Sequence, residues 1–257
     1  MLPNENAAGV RPSPIFWAVV ALTVVGAWLT TSSAVDTGVG IFVFVAAGWV
    51  LSLILHEFSH AYVAWKGGDH SVEAKGYLSL DPRLYADPLT SLFLPLLLVA
   101  MGGLGLPGGA VWIDRAALRS PRRASAVSLA GPAANVVFAV LCVAPLSAGL
   151  VTFERWPVLA VALSFLGFLQ ITAFIINMLP IPGLDGFGAL EPFLPSSVLQ
   201  AIEPVRRYSM LLLFFGLWFV QPLNDAFWTV VLEVVELFDI DPSLAIEGFR
   251  LFRFWER

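Results

Sequence analysis

The length of its apolar runs constrains this chain more than any other feature. Residues 15–31, 39–64, 124–150, 158–179 and 208–222 are almost wholly apolar, and a helix needs about 20 such residues to cross the hydrocarbon of a bilayer. Of the 257 residues, 58% are hydrophobic and 13% charged, and the mean hydropathy is +0.82. That balance leaves too little polar surface to clothe a soluble fold. Inside lipid each backbone N–H and C=O must be satisfied within the protein, so spans of this kind are helices. The expected fold class is an all-α polytopic membrane protein with about six membrane segments.

One further run, "LTSLFLPLLLVAMGGLGLPGGAVWI", is broken by Pro95, Pro107 and five glycines. It suits a re-entrant or hairpin element near 89–113 and not a straight helix. Orientation follows from the basic residues. Arg115, Arg119, Arg122 and Arg123 precede the run 124–150, Arg206 and Arg207 follow the run 158–179, and Lys66 and Lys75 follow the run 39–64. All should face the cytoplasm. The run 89–113 must then enter and leave on one side. The "TTSSAV" after the first run also admits a signal-peptide reading, but the crossing parity closes only if that run is retained as a span. Residues 241–257, "DPSLAIEGFRLFRFWER", mix aromatic, aliphatic and arginine side chains, as an interfacial tail does. No polar insertion is long enough for a second domain, so residues 1–257 form a single membrane-embedded domain. The net charge of −5 and the lack of a basic patch exclude nucleic acid as a partner. The lone Cys142 permits no disulfide framework.

The run 39–64 contains "HEFSH", which places His56, Glu57 and His60 in an apolar helix. Ionisable residues in a span cost at least about 2.5–3.5 kcal/mol when charged and mark functional sites. Positions i and i+4 share a helix face, so two imidazoles can hold one zinc ion. The intervening glutamate can take a proton from a water that zinc has made acidic. A third protein ligand is needed. His70 lies in the loop "WKGGDHSVEAK", and Asp185 in "NMLPIPGLDGFGAL". Asp185 is the better candidate, because its segment begins where the run 158–179 ends, at the depth of His56 and His60. Pro180, Pro182, Gly183 and Gly186 let the chain turn a carboxylate back toward them. Asn135 reads either as a hydrogen-bonding contact between helices or as a functional residue. Glu191 and Glu203 read as surface charges.

Taken together, H-E-F-S-H at 56–60 and N-x-x-P-x-P-x-L-D-G at 177–186 resemble the site-2 protease family of intramembrane zinc metalloproteases. "SLAGPAANVVFA" at 128–139, "YLSLDPRLYADPLTSLFLPLLL" at 77–98 and "PGGAVWIDRAALRSPRR" after it resemble further family blocks, and the likeness covers about 39–222. The resemblance implies one zinc per chain held by His56, His60 and Asp185, with Glu57 as catalytic acid and base. It implies substrate contacts for Asn177 and Asn135. It also implies cleavage of membrane segments of other proteins, in regulated proteolysis that releases a membrane-held factor, in a bacterial or archaeal cell membrane with the active site toward the cytoplasm. Gly183 departs from the proline of many relatives, "YADP" lacks a histidine found there in others, and no PDZ or CBS domain is present. Two rival classes are a metal-moving transporter and an inactive scaffold that binds membrane segments.

Overall fold

The computed structural model describes residues 10–85, 97 and 111–256. Most of the broken run 89–113, and the expectation of a re-entrant element there, lies outside the described residues. All the regular structure among the described residues is helical, with no strand. Four helices are long and apolar enough to cross a membrane: α1 (Pro14–Thr31), α2 (Thr37–Gly67), α4 (Pro121–Ser147) and α5 (Pro157–Met178). Between α2 and α4 lies the one-turn α3 (Ser71–Ala74). After α5 come the short α6 (Asp185–Leu190) and α7 (Ser196–Arg206). Next are α8 (Ser209–Phe219) and α9 (Gln221–Leu237), bent by 92° at their junction. The last helix, α10, runs Pro242–Phe252. The described residues form an all-helical polytopic membrane protein, and the expected sixth apolar run corresponds to α8, which the bend separates from α9.

Helix starts follow local chemistry. Ser13, Asp36, Ser120 and Asp241 cap α1, α2, α4 and α10 through their side-chain oxygens, and Pro14, Pro121, Pro157 and Pro242 occupy first-turn positions. Packing follows small residues. Gly26 of α1 lies against the Phe44 backbone and Gly40 of α2 against Leu29, so α1 and α2 form a close antiparallel pair. Gly48 of α2 faces Leu166 of α5, and Ile41, Val45, Trp49, Phe165, Leu166 and Leu169 fill one core between these helices.

The fold has two ends. At one, the start of α1 meets the chain beyond α2, where Ser13 N–H donates to Ser79 O at 2.7 Å. The ends of α2 and α5, the start of α4 and the start of α8 lie there too. Ser209 Oγ donates to Pro182 O at 2.5 Å, and Arg123 reaches Gly67 O at 3.1 Å. At the other end, Ser147 of α4 contacts Asp239 beyond α9 at 3.4 Å. There α10 buries Ala245 and Phe252 against the outer halves of α5 and α2. The tail expected at an interface thus contributes one face to the helical core.

Candidate metal centre

His56, Glu57 and His60 lie two to three turns before the end of α2 and are buried. Asp185 opens α6, one short turn beyond α5. Gly183 makes that turn with φ of 99°, a conformation closed to proline. Gly186 lets α6 press onto the end of α5, since a Cβ there would meet Leu179 O at 2.7 Å and Met178 O closer still. The turn brings the Asp185 carboxylate between the two histidines. Oδ2 stands 3.3 Å from His56 Nε2, Oδ1 stands 3.3 Å from His60 Nε2, and the two Nε2 atoms are 3.1 Å apart.

These distances match a tetrahedral zinc site. Bonds of about 2.0–2.1 Å at tetrahedral angles set neighbouring ligand atoms about 3.3 Å apart. The imidazole chemistry agrees. His60 Nδ1 lies 2.6 Å from Val127 O, a carbonyl that can only accept, so Nδ1 carries the proton and Nε2 a lone pair. His56 Nδ1 lies 2.7 Å from Asn135 Oδ1, which assigns it the same tautomer. Two lone pairs and a carboxylate then converge on one point, an arrangement that calls for a cation. Gly131 of α4 makes room for it: a Cβ would stand 2.5 Å from His56 Nε2 and closer to His60 Nε2. The donor set fits zinc, and no other such group occurs among the described residues. His70 is exposed and apart from it.

Glu57 projects into a cavity of about 530 Å³ that also exposes His56, His60 and Asp185. Its Oε2 accepts from the Val111 N–H at 3.0 Å. The connector that carries Val111 is strapped along the end of α2. Asp114 N–H donates to Asp69 Oδ2 at 2.8 Å, and Lys75 lies 3.6 Å over the Trp112 ring. Asn177, on the last turn of α5, lines the same cavity. Asn135 does not; its amide lies behind His56 and donates to Gln170 Oε1 at 2.9 Å.

Three charged residues gather on the cavity wall away from the histidines. Arg115 donates to Glu191 Oε2 at 2.7 Å, and Arg206 pairs with the other oxygen of the same carboxylate. Glu191 therefore ties the connector to α6 and α7, where the sequence suggested only a surface charge. Gln170 is a second residue that escaped notice. Its signal was legible, since an amide stands alone in "SFLGFLQITAF" and polar groups inside spans seldom lack a task.

The chain is 44% identical over 254 residues to "Putative zinc metalloprotease Rip2" of Mycolicibacterium smegmatis, covering 96% of this chain and 95% of that one. It is 44% identical over 259 residues to the protein of the same name from Mycobacterium tuberculosis, covering 99% and 98%. It is 31% identical over 191 residues to "Putative zinc metalloprotease YwhC" of Bacillus subtilis, covering 68% and 80%. No protein-family model matches the chain, and no solved structure matches it. Identity of 44% over nearly the whole chain to the two Rip2 proteins, together with the paired motifs converging on one metal-ready centre, establishes that the chain belongs to the site-2 protease family.

Proposed function

We propose that this protein is a zinc-dependent endopeptidase that cuts membrane-embedded segments of other proteins. The observation that carries this reading is the convergence of His56, His60 and Asp185 on one point beside Glu57, within a cavity at the end of a buried helix. Zinc held there by these three residues would supply Lewis acidity, acidifying water and polarising a peptide carbonyl. Glu57 would take the proton of the attacking water and return it to the leaving amine. The Val111 N–H keeps its carboxylate turned into the cavity. Asn177 lines that cavity with an amide able to hold a substrate carbonyl or amide. The connector at 111–113 runs beside Glu57, where an unwound substrate could pair with it by strand addition.

Charge supports an active site toward the cytoplasm. Arg11, Lys66, Lys75, Arg83, Arg115, Arg119, Arg122, Arg123, Arg206 and Arg207 all lie at the end that carries the metal centre, against Arg155, Arg250 and Arg253 at the other. The bacterial relatives suit a cell membrane, and the family resemblance suits regulated proteolysis of a membrane-held factor.

The test is Glu57→Gln, which keeps size and polarity but cannot accept a proton at neutral pH. Zinc per chain should stay at the wild-type value while cleavage of a membrane-segment substrate falls by about 10²-fold or more. Cleavage that survives the substitution removes the mechanism. Loss of zinc together with cleavage makes Glu57 a structural residue instead.

A further inference from the structure

Behind the metal centre runs a buried line of polar groups with no contact to the cavity. Ser52 Oγ–H donates to Trp49 O at 2.9 Å, and Gln170 Nε2 donates to Ser52 Oγ at 3.0 Å. Asn135 Nδ2 donates to Gln170 Oε1 at 2.9 Å, and Asn135 Oδ1 faces His56 Nδ1 at 2.7 Å. Gln170 is 0% exposed, Ser52 3% and Asn135 4%. Three helices contribute: α2 supplies Trp49, Ser52 and His56, α4 supplies Asn135, and α5 supplies Gln170.

Each link has a direction, and the direction is the point. An amide presents an acceptor at one end and donors at the other, so reversing one amide reverses the next. Trp49 O can only accept. Ser52 therefore spends its proton on it and offers Gln170 a lone pair. Gln170 must then turn Nε2 to Ser52 and Oε1 to Asn135. Asn135 must turn Nδ2 to Gln170 and Oδ1 to His56. His56 is left with its proton on Nδ1 and its lone pair on Nε2, facing the metal point. In the reversed line Asn135 would donate to Nδ1, and the proton of His56 would sit on Nε2, where zinc must bind.

We propose that Gln170 and Ser52 are positioning residues which, through Asn135, hold His56 in the one tautomer that can bind the metal. His60 needs no such line, because Val127 O settles its tautomer directly. The proposal rests on the zinc reading above and gives Asn135 a task behind its histidine, away from the substrate.

The experiment uses the full chain in detergent and measures zinc affinity by competition with a chromogenic chelator. In the metal-free protein it also measures the imidazole ¹⁵N shifts of His56, which report the tautomer. Zinc bound by wild type at one per chain tests the zinc reading by itself. Gln170→Leu should weaken zinc binding by about tenfold or more, the usual scale for losing an outer partner of a ligand. It should also move His56 toward a mixture of tautomers. Asn135→Asp supplies an oxygen that accepts from Nδ1–H whichever way residue 170 points. Placed in the Gln170→Leu background, it should restore most of the affinity and the single tautomer. Ser164→Ala changes an equally buried residue of α5 that has no hydrogen-bond partner, and it should leave zinc affinity unchanged. Should Gln170→Leu fail to fold, Ser52→Ala carries the test with a loss of several-fold, again rescued by Asn135→Asp. The proposal is overturned if these variants keep zinc affinity within twofold of wild type, or if Asn135→Asp leaves their loss unrelieved.

Discussion

A single missing side chain shapes the centre as much as any ligand does. Gly131 sits where any Cβ would press on both metal-facing nitrogens, His56 Nε2 at 2.5 Å among them. In a helix, alanine is favoured over glycine by about 0.8–1.0 kcal/mol, so Gly131→Ala should leave α4 intact. It should nonetheless displace both imidazoles and lower zinc affinity by at least about tenfold, a loss of the size seen when ligand positioning fails. Zinc content measured beside thermal stability checks this: zinc lost with the melting temperature kept is the expected result, and zinc kept shows that the histidines have room to give. A glycine among small residues in "LAGPAAN" points to close helix packing, which is correct as far as it goes. The partner that comes close is the pair of histidines on α2, and no spacing within one segment reveals a neighbour on another.

Among elements, the turn between α5 and α6 does most to complete the centre. It reverses the chain within Leu179–Leu184, and Leu184 N–H donates to Ile181 O at 3.0 Å to close it. Gly186 then packs against carbonyls at the end of α5, leaving no space for a methyl group. Gly186→Ala should destabilise by about 1–3 kcal/mol, as overpacking does, and should push Asp185 off the histidines. Zinc binding should fall with it, and limited proteolysis should find new cuts near 180–195. Unchanged zinc affinity would mean that the turn can shift without carrying the carboxylate along. Proline and glycine in "NMLPIPGLDG" made a turn legible in the sequence. The Arg115–Glu191–Arg206 tie behind that turn was not legible, because its members stand in three separate segments.

At the scale of the whole molecule, the two ends of the bundle should face opposite sides of the membrane. Lys75, Arg119 and Arg207 share the metal-centre end, while Gly149 and Asp239 share the other. In a Cys142→Ser background, single cysteines at Lys75, Arg119 and Arg207 should react with an impermeant thiol reagent only from the cytoplasmic face. Those at Gly149 and Asp239 should react only from outside. Labelling of Lys75 and Arg119 from opposite faces would require the intervening chain to cross the membrane and would overturn this topology.

What the sequence alone determined is what depends on local order. Hydropathy marked α1, α2, α4 and α5, because a bilayer demands one continuous apolar helix per crossing. The i, i+4 pair His56 and His60 declared itself because both lie on one helix face. Parity of basic residues placed Asp185 at their depth. Only the tertiary structure decided which atoms meet. It turned Asn135 onto His56 and left Asn177 on the cavity. It drew Gln170 and Ser52 into the same line and set α9 at 92° to α8. The reason is geometric: a helix fixes its own faces by its period, but which face meets which neighbour, and in what rotation, is settled by packing among all the helices at once.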